Sequence, residues 1–171
     1  MKKIHVSAIN RKVRDDEKLF VEECDRKYNE EQHNEKPILL LAGPSGAGKT
    51  TTALKIEEIL DSRGIHTHTI SMDDYFLPAD NFTAVIGEDG KPDYESPDRI
   101  DRTLLYEHME KINSGEEVVL PKFEFSEQCR RDGEKLRRNK NDIVVFEGIH
   151  ALNPEVTGAA GDYARCMYVS V

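Results

Sequence analysis

The sequence predicts an α/β fold, a parallel sheet flanked by helices and built around a phosphate-binding loop. Two observations carry that expectation. An apolar run, Ile38-Leu39-Leu40-Leu41-Ala42, leads directly into Gly43-Pro44-Ser45-Gly46-Ala47-Gly48-Lys49-Thr50, and a helical pattern follows over residues 49–60. A strand, then G-x-x-x-x-G-K-[ST], then a helix is the context in which that motif has physical meaning. Two further strand-like runs, residues 66–71 and 143–146, lead into carboxylates at Asp73-Asp74 and at Glu147. The carboxyl edge of a parallel sheet is where α/β proteins bind ligands.

The loop dictates a chemistry. Its glycines allow the backbone to curl into a nest whose N–H groups face phosphate oxygens, and the positive end of the following helix adds to it. The nucleotide-binding set is Gly43, Ser45, Gly46, Ala47, Gly48, Lys49, Thr50 and Thr51. Lys49 is expected to reach the β and γ phosphates, and the Thr50 hydroxyl to hold Mg²⁺. The predicted cofactors are therefore ATP, or another nucleoside triphosphate, and Mg²⁺.

At 171 residues the chain has room for one α/β domain. We divide it into an N-terminal arm and helix over residues 1–36 and a phosphate-loop domain over residues 37–171, which is expected to stop short of a complete kinase. A net charge of −9, with 33% charged residues, argues for a soluble protein without a nucleic-acid partner, which would need a basic face. No apolar run approaches the roughly 20 residues of a membrane span, and the N-terminus lacks the apolar core of a signal peptide. The cytoplasm is the expected location; a homo-oligomer is left open. Cys24, Cys129 and Cys166 are three in number and lack C-x-x-C spacing, which implies neither a disulfide framework nor a zinc site.

Residues 1–14 hold five basic residues and no acid, and are read as a short strand around His5-Val6-Ser7-Ala8-Ile9 or as a solvated arm. Residues 15–35 read as a helix with Phe20, Cys24 and Tyr28 on one face. After the phosphate loop, Ala53, Ile56 and Leu60 are expected to face the sheet, with Gly64 as a stop. His66 and His68 share one face of the next strand; packed or surface histidines are favoured over a metal site because no third ligand is nearby. Asp73 and Asp74 either merely start a turn or enter the site. From Asp73 to Asp101 nine acids stand against Lys91 and Arg99. Such acidity disfavours a phosphorylated acceptor and suits a neutral, hydroxyl-rich one whose hydroxyls donate to carboxylates. Residues 80–92 form a long turn-rich loop.

Ser96-Pro97 is expected to begin the next helix, with Ile100, Leu104, Leu105, Met109 and Ile112 as its core stripe and Ser114-Gly115 as its end. Residues 122–140 carry seven basic residues against four acids, either a solvated hairpin or a place where phosphate charge is neutralised. Glu147, at the end of the most strand-like run, stands where phosphate-loop proteins keep the acid that organises Mg²⁺. His150 is read equally as site-lining or packing. The last strand covers residues 165–171.

Taken together, the phosphate loop, Ser71-Met72-Asp73-Asp74-Tyr75-Phe76, Tyr94-Glu95-Ser96-Pro97-Asp98, Pro121-Lys122-Phe123-Glu124-Phe125 followed by Arg130, and Phe146-Glu147-Gly148-Ile149 resemble, in order and spacing, the uridine kinase and phosphoribulokinase family. The bacterial uridine kinase-like nucleoside kinases are the nearest pattern. The resemblance implies that Asp73 is the general base for the acceptor hydroxyl and lies near Mg²⁺, with Tyr75 of the same segment on the substrate side. It implies that Glu95 holds ribose hydroxyls, that Phe123 and Gln128 surround the nucleobase with Arg130 following, and that Glu147 helps to organise the metal. Phe123 and Gln128 depart from the family's tyrosine and histidine where the base is read. Family members continue into a lid segment with phosphate-facing arginines, which is expected to be absent after Val171.

The implied reaction is transfer of the γ-phosphoryl of ATP to the 5′-hydroxyl of a nucleoside, uridine or cytidine foremost, with Lys49 and Asp73 as the catalytic pair. Phosphoribulokinase-like or pantothenate-kinase-like acceptors, and a nucleotide-sensing domain without transfer, are the alternatives. A nucleic-acid-dependent ATPase is the weakest, for want of a basic stripe.

Overall fold

The computed structural model describes residues 4–7, 36–78, 86, 90, 93 and 95–170. The helix read over residues 15–35, and most of the loop read over residues 80–92, lie outside the described residues.

Ile38–Ala42 (β2) is buried along its whole length, because it carries an apolar side chain toward each face of the sheet. It pairs in parallel with Ile143–Glu147 (β6) on one side and Ala164–Ser170 (β7) on the other. Ile4–Ser7 (β1) adds in parallel beyond β7, and Thr67–Ser71 (β3) beyond β6, giving the order β1-β7-β2-β6-β3. The N-terminal strand is therefore hydrogen-bonded into the same sheet as the phosphate-loop segment. β7 lies inside the sheet.

Among the described residues, each face of the sheet is covered by one long helix. Lys49–Asp61 (α1) turns Ala53, Ile56 and Leu60 onto Leu39, Leu41 and Val145, as its apolar spacing predicts. Arg102–Ser114 (α2) lays Leu105, Met109 and Ile112 onto the opposite face, against Ile38, Leu40, Val144 and Phe146. Fully burying one such side chain contributes about 1.5–3 kcal/mol, so each helix is docked mainly by three or four residues. Gly64 (φ 76°) follows the end of α1 and Gly115 (φ 80°) caps α2, both in the left-handed region that glycine favours.

The start of α2 differs from the sequence reading. Ser96 does cap, accepting from the Asp98 N–H at 3.3 Å, but what it caps is a single tight turn, Pro97–Arg99. Ile100 then runs extended and bridges Phe76, and α2 begins after Asp101, whose carboxylate accepts from the Leu104 N–H at 3.1 Å. Two cap signals five residues apart competed, and the one adjoining the apolar spacing opens the helix.

Glu117–Glu124 (β4) and Cys129–Arg137 (β5) form a separate antiparallel hairpin, so the basic stretch is a hairpin rather than part of the sheet. Arg138 closes its far end by donating to the carbonyls of Ile112 and Asn113 in the last turn of α2, at 2.9 and 3.0 Å.

His68 donates to the buried Asp142 carboxylate at 3.2 Å, which assigns it a packing role; His66 precedes the strand and is exposed. Burial alone would raise the Asp142 carboxyl. Hydrogen bonds from the Asn139 backbone and side chain, both 2.9 Å, and from His68 outweigh it and hold the group below its ordinary value. A carboxyl depressed in the folded state stabilises fully above its unfolded pKa, about 3.9, and loses that contribution as pH falls through the folded value. Asp142→Asn should therefore cost about 1–3 kcal/mol at pH 7. Urea titrations at pH 7 and pH 3 should show wild type losing more stability between the two than the variant does.

Candidate active site

The C-terminal ends of β2, β6 and β3 stand level. Leu41 pairs with Glu147, and Glu147 with Ser71, so the segments leaving these three strands share one edge.

From β2 the chain enters the phosphate loop. A Cβ on Gly43 would sit 2.5 Å from the Val169 carbonyl oxygen of β7, so only glycine lets the loop start this close to the sheet. Gly46 (φ 75°) and Gly48 (φ 82°) are left-handed, and the Ala47 N–H closes a turn onto the Pro44 carbonyl at 3.1 Å. Gly48 caps α1 with no side-chain hydrogen bond, and no acid occupies the first turn. The opening N–H groups of α1 are therefore not masked by an intramolecular carboxylate, an arrangement suited to an anion. Ser45, Thr50 and Thr51 are exposed around this opening, and Lys49 Nζ donates to the Pro44 carbonyl at 3.0 Å.

From β3 the chain makes a tight turn, Met72–Tyr75, that buries Met72 and Tyr75 and turns Asp73 and Asp74 outward. The two aspartates then part. Asp74 accepts from the Phe123 N–H at 3.1 Å and from Lys122 Nζ at 3.2 Å, tying the turn to β4. Asp73 faces a cleft of about 330 Å³ that Ser45, Lys49, Glu95, Glu147 and Gln128 also line. Water is withdrawn from Asp73 within the cleft, which raises its carboxyl above its ordinary value; Lys49 opposes the rise and Asp74 adds to it. Glu147 is raised too, by burial first and then by Asp73, against the pull of Lys49.

Asp73 raises Glu147 and both carboxylates line the cleft, while the Thr50 hydroxyl is exposed at the start of α1; oxygen donors of this kind suit a hard cation. No group of three or more His, Cys, Asp or Glu suited to holding a metal occurs among the described residues.

The opposite pole of the cleft comes from the hairpin. Phe76, Phe123 and Phe125 pack edge-on, with ring centroids 5.2–6.2 Å apart. Phe125 is exposed in the cleft, whereas Phe123 is buried beneath it. Gln128 lines the cleft at the hairpin turn. Glu95 lines it as well, and its carbonyl accepts from His150 Nε2 at 2.5 Å, which joins the Glu95 turn to the segment after β6.

Of the residues predicted for the substrate, Asp73, Glu95 and Gln128 meet in this cleft and three others lie off it. Tyr75 is fully buried. Burial pushes its hydroxyl well above the ordinary tyrosine value, so it keeps its proton and bonds His108 Nδ1 on α2 at 3.0 Å. Phe123 supports Phe125 from below, and Arg130 pairs with Asp101 at 2.9 Å, at the start of α2. Phe76, Arg99 and Phe125 line the cleft without having been singled out. Signals were available: Phe76 follows Asp73 by one tight turn, Phe125 follows Phe123 with the two-residue period of a strand, and Arg99 is one of only two bases in the acidic stretch.

The sequence model described as "Phosphoribulokinase / Uridine kinase family" matches residues 38–158. The chain belongs to that family. Among its relatives, the uridine kinase of Halobacterium salinarum is 31% identical over 115 residues, covering 67% of this chain and 48% of the relative. That of Lactobacillus johnsonii is 30% identical over 123 residues, 71% of this chain and 56% of the relative. The chain thus spans about half the length of the curated relatives it matches. A Bacillus stearothermophilus structure described as a possible uridine kinase superposes with a TM-score of 0.68 at 16% identity, over 92% of this chain and 81% of that one, which shows the shared fold. Among the described residues no helix is long and apolar enough to cross a membrane.

Gly43→Ala should separate the loop from the sheet. The added carbon meets two backbone carbonyl atoms of Val169 that cannot yield without moving β7. The expected result is a stability loss of about 1–3 kcal/mol in urea unfolding, the range for overpacking, with loss of fluorescent nucleotide-analogue binding.

Proposed function

We propose that this chain carries the nucleotide and acceptor sites of a kinase that transfers the γ-phosphoryl of ATP to the 5′-hydroxyl of a pyrimidine nucleoside. What supports the reading is the meeting of Lys49, Asp73 and Glu147 in one cleft whose other pole offers Glu95, Phe125 and Gln128. Family membership supports the reaction class, and the acceptor is inferred from the cleft's chemistry.

In this reading the loop N–H groups and the opening turn of α1 hold the phosphates. Thr50, Asp73 and Glu147 would hold Mg²⁺. When bound, the ion supplies charge neutralisation across the phosphates. Lys49, now resting on the Pro44 carbonyl, swings to the phosphate oxygens and meets the charge that develops on transfer. Asp73, with its carboxyl raised, is the stronger base for it, and accepts the proton of the acceptor hydroxyl. Glu95 accepts from neighbouring sugar hydroxyls, and the exposed Phe125 ring offers a face for the base. Positioning and electrostatics account for the rate in such reactions, so geometry is the relevant test.

Mass spectrometry after incubation with Mg²⁺-ATP and uridine, cytidine, adenosine, ribulose 5-phosphate or pantothenate should detect a nucleoside monophosphate. Lys49→Ala should nearly abolish it, and Asp73→Asn should lower turnover by about 10²–10⁴. Because burial holds the Asp73 carboxyl above its ordinary value, its charged form adds no stability and Asp73→Asn should melt no lower than wild type, which separates a chemical defect from a folding one. Wild-type turnover in Asp73→Asn would remove the base assignment; nucleotide binding with no product from any acceptor would favour a sensor.

A further inference from the structure

Gln128 is the one residue other than glycine with a left-handed backbone (φ 49°) among the described residues, and its side chain is held at both ends. Its Oε1 accepts from Arg99 Nη2 at 3.2 Å, and its Nε2 donates to the Phe125 carbonyl at 2.7 Å. Turning the amide over would set its NH₂ against guanidinium N–H groups and its oxygen against a carbonyl. Both partners therefore fix the same orientation. Arg99 is itself held: it is buried, and its Cζ lies 4.4 Å from the centroid of the Phe76 ring. All of these residues line the acceptor pole of the cleft.

The charged groups around that pole are Arg99, Asp73 and Glu95. Asp73 interacts with Lys49 first and with Arg99 as well, and the Glu95 backbone carbonyl is joined to His150. Arg99 is the charge among them that is hydrogen-bonded to Gln128, at 3.2 Å. A ring carbonyl arriving at the amide meets the second N–H of Nε2 in the field of a cation. A ring amino group meets the same donor and the same cation, and the only acceptor it finds there, Oε1, is already engaged by the guanidinium.

We infer that Arg99 is a specificity-determining residue: by fixing the Gln128 amide, it makes the cleft select an acceptor whose ring edge carries a carbonyl oxygen over one carrying an amino group, uridine over cytidine. The inference rests on the nucleoside reading above. Arg99 acts through Gln128, as a positioning residue, and the discrimination expected from one mispaired polar group is roughly 10- to 100-fold.

Calorimetric titration of the full chain with uridine, cytidine and the riboside of pyrimidin-2-one, in the presence of Mg²⁺ and a non-hydrolysable ATP analogue, tests it by binding alone. Uridine should bind about 10- to 100-fold more tightly than cytidine, with the riboside that lacks the 4-oxygen between them. Gln128→Glu keeps the acceptor for Arg99, gives up the bond to the Phe125 carbonyl and offers the ring edge an acceptor in place of the N–H, so the order should invert. Arg99→Met retains an apolar contact for Phe76 and frees the amide to turn, so the preference should fall to within about threefold. Thermal melts check folding, and Gln128→Glu carries the test if Arg99→Met does not fold. Equal binding of uridine and cytidine to wild type, or an unchanged order in folded variants, overturns the inference while leaving the nucleoside reading intact. Failure of all three nucleosides to bind overturns both.

Discussion

The register of three parallel strands is the constraint on which the rest depends. β2, β6 and β3 end level because Leu41, Glu147 and Ser71 are neighbours in the ladder, and the Gly148 N–H extends it by donating to the Leu41 carbonyl at 3.1 Å. A one-residue slip of β6 would turn its side chains to the opposite faces and carry Glu147 out of the cleft. Burial prevents the slip, since Ile143, Val144, Val145 and Phe146 are all enclosed and alternate between two different helix-covered faces. The position of a charged, chemically active side chain is thus fixed by the apolar residues before it. Gly148 completes the constraint: a Cβ there would meet Met72 at 2.9 Å, so β6 and the turn carrying Asp73 approach closely only because that residue is glycine.

On that edge the electrostatics divide in two. At the phosphate pole burial raises both Asp73 and Glu147, Asp73 raises Glu147 further, and Lys49 opposes the rise in each. Such a cluster costs stability in the isolated chain, and positive charge brought to it lowers that cost, which is the usual condition of a site that binds a cation with an anionic ligand. Away from the cleft, charges are paired. Lys122 answers Asp74, and Arg130 answers Asp101, which also caps α2. Both pairs dock the hairpin against elements that carry candidate site residues.

Much of this was legible in the chain. The phosphate loop, β2, β6 and the inward faces of both helices follow from apolar spacing and from glycines at fixed offsets, because those signals are local. The acceptor side was read less well. Tyr75 and Phe123 belong to the right segments, but a tight turn buries Tyr75 beside the outward Asp73, and β4 ends at Glu124, which leaves Phe123 in the ladder and Phe125 in the hairpin turn. Sequence alone does not show that Phe76 and Phe125, rather than these two, line the cleft. Arg130 was read toward the substrate, and its partner Asp101 was counted among the acids of a binding stretch; their pairing across 29 residues is tertiary information. The same holds for Arg99, whose meaning depends on a contact with Gln128 that neither local sequence contains.

The two poles differ in how they are built. The phosphate pole grows from the sheet itself and is set by buried backbone pairing. The acceptor pole hangs on a two-stranded hairpin fastened by Asp74, by the Arg130–Asp101 pair and by a small aromatic cluster. Changing a residue at the hairpin turn alters what the cleft recognises without disturbing the ladder that aligns Glu147 with the phosphate loop. Side chains are also easier to exchange at the exposed turn than within the buried strands, where volume is fixed on both faces. The pole at the phosphate loop is therefore constrained by the packing of the fold's core, and the pole at the hairpin by fewer contacts. Arg99 and Gln128 stand at the joint between them, one on the segment leading into α2 and the other at the tip of the hairpin.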